Sequence, residues 1–138
     1  MNLRERLAEA EGEIPHAYQD GEGWWTIGIG RLIDERKGGG LSEDEIQYLL
    51  TNDISKKTME CKKLFPEFDT FGQTRQEALI ELMFNIGYGH ISTYSHFIDQ
   101  INSRHWAAAR DNMNGWTKWI AQVGPSRSGR LAAAIGNE

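Results

Sequence analysis

Three side chains near the start of the sequence have the types and spacing that glycoside hydrolysis needs. Residues Glu11 to Arg31 read E-G-E-I-P-H-A-Y-Q-D-G-E-G-W-W-T-I-G-I-G-R, with acids at Glu11 and Asp20 and a hydroxyl at Thr26. Cleaving a glycosidic bond takes one carboxylic acid that stays protonated near neutral pH and delivers a proton to the leaving oxygen. A second, ionised carboxylate stabilises the oxocarbenium-like transition state or activates water. Two such acids must sit in different environments. Glu11 follows Leu3, Leu7 and Ala10 at helical spacing, which predicts a place at the border of an apolar face, where partial desolvation raises a carboxyl pKa. Asp20 precedes Gly21 and Gly23 in D-G-E-G, a turn in which solvent and backbone N–H groups keep a carboxylate ionised. Thr26, after Trp24 and Trp25, offers a small hydroxyl able to hold a water beside Asp20.

Each residue alone also has an ordinary explanation. A Glu at a helix end is commonly a solvated charge, an Asp before Gly is turn chemistry, and a Thr in W-W-T-I is a strand former.

The elements that must position these side chains can be read around them. Asn2 and Glu5 form a capping box that opens a helix over 3–11, which Pro15 and the following glycines prevent from continuing. Residues 16–19, 24–28 and 31–33, rich in Tyr, Trp, Thr and Ile, predict a small antiparallel sheet with D-G-E-G at one end. Asp34 to Gly40 reads as a polar connector. Ser42 and Glu45 form a second capping box before a helix with Ile46, Leu49, Leu50 and Ile54 at helical spacing, expected to run to about Cys61. Phe65, Phe68 and Phe71 read as a core-facing loop. A helix from about Thr74 to Gly87, with Ala78, Leu79, Leu82, Met83 and Ile86 on one stripe, is expected to be the most buried of the chain. Tyr88 to His90 form a turn, short helices follow near 95–102 and 104–113, and Pro125 fits the first turn of a last helix.

The spacing E-G-x(7)-D-x(5)-T followed by I-G-I-G resembles the catalytic signature of the phage-type lysozymes, the endolysins of tailed bacteriophages. The resemblance continues in R-Q-E-A-L-I-E-L-M-F-N-I-G (Arg75 to Gly87), W-A-A-A-R (Trp106 to Arg110) and G-P-S-R-S-G-R-L (Gly124 to Leu131), so it covers nearly the whole chain. It implies an α+β, mostly helical, lysozyme-like fold in a single domain. A small lobe at about 12–60 holds a three-stranded antiparallel sheet, a larger helical lobe at about 61–138 takes back the N-terminal helix 1–11, and a cleft lies between.

It also implies hydrolysis of the β-1,4 bond between N-acetylmuramic acid and N-acetylglucosamine in peptidoglycan, with inversion. Glu11 is then the general acid, Asp20 the water-activating carboxylate and Thr26 the water-orienting residue. Glu22, Asn85, Trp119 and Arg127 complete the candidate set as substrate-binding residues. Asn85 matches a family cleft position, with bonding to helix-end backbone as its alternative. Trp116 and Trp119 either line a saccharide groove or pack inside the helical lobe. Arg127 matches a family position close to the catalytic Glu, where a cation lowers the pKa of Glu11 and opposes burial. Much of the family has His at the position of Arg31, paired with an Asp on the following helix, so an Arg31–Asp53 pair is expected. Longer relatives carry an extra helix at 34–40, which makes this connector look trimmed.

Composition narrows the alternatives. A 138-residue chain with 39% hydrophobic and 25% charged residues suits one soluble domain. Residues 1–60 carry 7 Lys/Arg against 13 Asp/Glu, whereas 104–138 carry 5 against 2, so the basic end suits an anionic polymer. Dispersed cations on a chain of net charge −5 make a poor nucleic-acid footprint. Gly28-Ile29-Gly30 lacks the third glycine of a dinucleotide fingerprint, since position 33 is Ile. No His sits at metal-ligand spacing, so neither metal nor cofactor is expected. Cys61 has no disulfide partner and reads as a half-buried thiol. The opening M-N-L-R-E-R-L-A-E-A reads as neither signal peptide nor anchor. A monomer without stable membrane association is expected, and the resemblance to endolysins implies that it is held in the host cytoplasm until a holin-like membrane protein admits it to the wall. A lytic transglycosylase and a non-catalytic wall-binding or phage-structural module are the alternatives.

Overall fold

The two capping boxes form as the sequence marks them. Asn2 Oδ1 accepts the Glu5 N–H and Glu5 Oε2 accepts the Asn2 N–H, each at 2.9 Å, which starts helix α1 at Leu3–Glu11. Gly12, at φ 81°, ends that helix, its N–H donating to the Ala8 carbonyl. Ser42 and Glu45 exchange the same pair of bonds ahead of α2, Glu43–Leu64. The structure, a computed structural model, describes residues 1–137. It has two compact units, Met1–Leu49 and the residues from Leu50 onward.

In the first unit α1 precedes a three-stranded antiparallel sheet, ordered β1 (Ile14–Gln19), β2 (Trp25–Gly28) and β3 (Arg31–Leu32). Tyr18 faces Thr26 and Gln19 faces Trp25 across the first pair, and Thr26 faces Leu32 across the second. The register slips between Ile14 and Tyr18. That bulge explains why β1 starts two residues before the expected position 16. Pro15 lacks an N–H, and an edge strand at an irregularity tolerates the loss. The connector is more ordered than its composition suggests, with a 3₁₀ turn at Glu35–Lys37 capped by Asp34.

The second unit is helical. It takes in the rest of α2, then α3 (Gln73–Ile86), α4 (Tyr88–Ile91), α5 (Ser95–Asn102), α6 (Trp106–Met113), α7 (Thr117–Val123) and α8 (Pro125–Gly136). The expected stripe of α3 is where the core forms, with Ala78, Leu79, Leu82 and Met83 buried against Phe65, Phe68, Phe71, Phe97, Ile101, Met113 and Leu131. Ile86, expected on that stripe, is only partly buried, because it lies in the last turn before Gly87. Buried Arg75 donates from Nε to the Ile135 carbonyl at 2.8 Å and stacks 3.8 Å from the Trp106 ring centroid, tying α3 to α8 and α6. Cys61 is fully buried rather than half-buried, since α2 runs on to Leu64 and leaves the thiol a turn inside the helix. Burial pushes that thiol up to about 12. No helix among the described residues is long and apolar enough to cross a membrane.

Candidate active site

The three candidate catalytic residues all belong to the first unit, and Trp24 connects two of them. Asp20 follows β1, and its Oδ1 accepts the N–H groups of Glu22 and Trp24, each at 2.9 Å. Gly23 closes the turn at φ 84°, its N–H donating to the Asp20 carbonyl. The Trp24 carbonyl accepts the Asp20 N–H at 2.9 Å and the Thr26 hydroxyl at 3.0 Å. One backbone oxygen thus anchors both the carboxylate residue and the hydroxyl. Thr26 is only 5% exposed in the central strand, whereas Asp20 is exposed. With Oδ1 engaged by two N–H groups, Oδ2 keeps its lone pairs for another donor.

Glu11 ends α1 and lies over the β2–β3 turn. A Cβ placed on Gly30 would stand 3.0 Å from Glu11 Oε2 and 3.3 Å from Glu11 Cβ and Cδ. Gly30 also has φ 69°, so only glycine suits this position beneath the acid. The desolvation expected at Glu11 is absent. The residue is exposed and α1 contains no buried residue, with Leu3 and Leu7 themselves exposed, because the predicted apolar stripe holds only a few residues among many charges.

The expected partner of Arg31 is replaced. Arg31 pairs with Glu45 rather than Asp53. As the third residue of the capping box, Glu45 folds its carboxylate back toward Ser42 and meets Arg31 there, two turns earlier on α2 than the expected acid. The Ser42 N–H, followed by Arg31, holds the Glu45 carboxyl below its ordinary range.

Of the four candidate substrate contacts, Glu22 is an exposed turn residue that uses its backbone N–H on Asp20. The other three are in the helical unit. Trp119 is 6% exposed and packs against Trp116, ring centroids 5.6 Å apart, and it also borders a pocket. Trp119 Nε1 donates to Asn85 Oδ1 at 2.8 Å, at this open pocket of about 460 Å³ lined also by His90, Tyr94, Lys118 and Gln122. The Asn85 acceptor goes to an indole rather than to helix-end backbone. Arg127 Nε donates to Glu81 Oε2 at 2.9 Å, and Arg130 donates to the same oxygen at 2.8 Å. Arg130 first, then Arg127, holds the Glu81 carboxyl below its ordinary range. Sequence reasoning missed Glu81. The only signal was that Arg127 and Arg130, three apart, share a helix face.

The family model described as "Phage lysozyme" matches residues 8–130, a span that includes every candidate residue of the site. This chain belongs to the phage lysozyme family. Membership accounts for the α+β, mostly helical, lysozyme-like fold. The "Probable T4-type lysozyme 1" of Dictyostelium discoideum is 26% identical, the match covering 97% of this chain and 93% of that protein. The "SAR-endolysin" of Haemophilus phage HP1 (strain HP1c1) is 28% identical over 64% of this chain and 47% of that protein. The "Pre-baseplate central spike protein Gp5" of Enterobacteria phage T4 is 24% identical, covering 98% of this chain and 28% of that protein. In this phage lysozyme family member, Glu11, Asp20 and Thr26 all fall within the matched span.

Proposed function

We propose that this protein is an endolysin that hydrolyses the β-1,4 bond between N-acetylmuramic acid and N-acetylglucosamine in peptidoglycan. The arrangement around the Trp24 carbonyl carries this reading. The Thr26 hydroxyl spends its proton on that carbonyl, so its oxygen accepts from water, and Asp20 Oδ2 accepts as well. A water donating one proton to each acceptor keeps a lone pair free to attack the anomeric carbon. As the bond forms, Asp20 takes the water proton while protonated Glu11 gives its own proton to the leaving oxygen, and a hydroxyl-terminated reducing end results. Within the helical unit, Trp119 Nε1 occupies the Asn85 amide oxygen, which leaves Nδ2 to donate to a saccharide at the pocket beside it. The naming of two relatives as T4-type lysozyme and endolysin supports the same reading. Storage in the host cytoplasm and release by a holin-like partner belong to this proposal.

Mass spectrometry of the products from purified peptidoglycan tests it. Wild type should release muropeptides with ordinary reducing ends and Glu11→Gln none. Anhydro-muropeptides would move the assignment to a lytic transglycosylase.

The spike-protein relative favours one second reading, a phage-structural module that holds the wall without cutting it. A folded wild type that co-sediments with peptidoglycan and releases nothing would establish that reading. Asp20→Asn that binds but does not turn over would support the endolysin.

A further inference from the structure

Asp34 is 4% exposed in the first unit, a buried carboxylate within a segment otherwise made of charged residues and glycine. A buried charge persists only when it is paired and hydrogen-bonded. Arg36 grips Asp34 with a fork, Nε to Oδ1 at 3.0 Å and one terminal nitrogen to Oδ2 at 2.7 Å. The Arg36 N–H reaches Oδ1 at 3.0 Å and the Trp25 N–H reaches Oδ2 at 3.2 Å. Foremost among these contacts, the Arg36 side chain holds the Asp34 carboxyl well below the usual carboxylate range.

The fork fixes the guanidinium 4.7 Å from the centroid of the Trp24 ring, with the Lys37 ammonium 5.0 Å from it. Meanwhile the N–H groups of Ile33 and Asp34 both donate to the Trp25 carbonyl. Residues 33–37 therefore clip the Trp24–Trp25 dipeptide by ring and by backbone. The glycines close the clip. Gly39 N–H donates to the Asp34 carbonyl and Gly40 N–H to the Leu32 carbonyl, and a Cβ on Gly39 would come within 2.6 Å of Leu32 O.

Trp24 is also the residue to which Asp20 and Thr26 are anchored, three bonds in all. We propose that Asp34 is a positioning residue for the Asp20–Thr26 pair, acting through Arg36 and Trp24. This role rests on the hydrolytic reading of that pair. Removing the Asp34 charge frees the Arg36 fork, releases the Trp24 ring and lets the shared carbonyl drift, so that the two acceptors lose their common aim at the attacking water. On that hydrolytic reading the displaced groups are the ones that hold the attacking water. The loss therefore falls on kcat and spares KM, whereas a merely structural loss would lower the amount of active protein and affect unrelated amides.

The test compares wild type, Asp34→Asn, Arg36→Lys and the neighbouring control Glu35→Gln on purified peptidoglycan, together with amide hydrogen exchange of Trp24 and Glu22 by NMR. Asp34→Asn should lower kcat by about 10- to 100-fold with KM nearly unchanged and should speed exchange at both amides. Arg36→Lys, which keeps the charge but loses the fork, should fall between, and Glu35→Gln should match wild type. If Asp34→Asn does not fold, Arg36→Lys decides, because that side chain is 65% exposed and its loss leaves the core intact. Wild-type kcat in Arg36→Lys and Asp34→Asn, or unchanged Trp24 exchange, overturns the role. A wild type with no turnover overturns the hydrolytic reading itself and this role with it.

Discussion

Placing a methyl group under the acid is the sharpest perturbation the site offers. Gly30→Ala puts a Cβ 3.0 Å from Glu11 Oε2 and 3.3 Å from Glu11 Cβ and Cδ, where ordinary contacts begin near 3.4 Å. Oε2 can swing aside, but Glu11 Cβ cannot move without its helix, so the acid shifts by a few tenths of an ångström. Misplacement by about 1 Å costs on the order of 100-fold in catalysis, so a shift of roughly 0.4 Å predicts a loss of about 5- to 10-fold in kcat. Alanine at φ 69° also costs about 1–2 kcal/mol of stability. Gly28→Ala supplies the control. Gly28 has φ 68° and nothing within 4 Å of the position its methyl would take, so it shares the backbone cost without touching Glu11. Peptidoglycan turnover and thermal unfolding of both variants should give similar Tm losses, of roughly 4 °C per kcal/mol, but a kcat loss confined to Gly30→Ala. Equal kcat in the two variants would refute the claim that the acid rests on Gly30.

Two further outcomes follow from the helical unit. Glu81 has a depressed carboxyl pKa, so its pairing stabilises the fold above the ordinary carboxylate range and is lost as pH falls through the lower folded value. Wild type should therefore lose more Tm than Glu81→Gln between about pH 5 and pH 3, and parallel curves would contradict the pairing. Leu82, fully buried on α3, should cost about 2–5 kcal/mol on truncation to Ala, read by denaturant unfolding. A cost under about 1 kcal/mol would mean that the core around α3 collapses to fill the space.

What was legible in the sequence is what is encoded locally. The capping boxes at Asn2 and Ser42 place bonding groups three residues apart, and α3 writes its buried face as a repeating stripe, so both could be read without the fold. The spacing of Glu11, Asp20 and Thr26 was likewise readable, because a short helix and a tight hairpin leave little freedom between them. Contacts that depend on distant partners were not. Glu81 lies 46 positions from Arg127 and 49 from Arg130, and nothing at either end marks the pairing. Asp34 was hidden for another reason. A run of charges and glycines looks solvated, and it takes the fork to Arg36 with the N–H groups of Trp25 and Arg36 to make burial of that carboxylate tolerable. The choice of Glu45 over Asp53 by Arg31 turned on the direction in which a capping side chain folds, which spacing alone does not convey.

Cys61 gives the molecule a clock. It is the chain's one thiol, sealed at 0% exposure on α2, and burial keeps it protonated far above neutral pH. A thiol reagent therefore reacts with native protein only during moments when the surrounding helices part. At low reagent concentration the labelling rate follows the fraction of time spent open, and at high concentration it follows how often opening occurs. Breathing of the helical core can thus be timed in plain buffer, on a single atom, without denaturant and without adding a probe to the sequence.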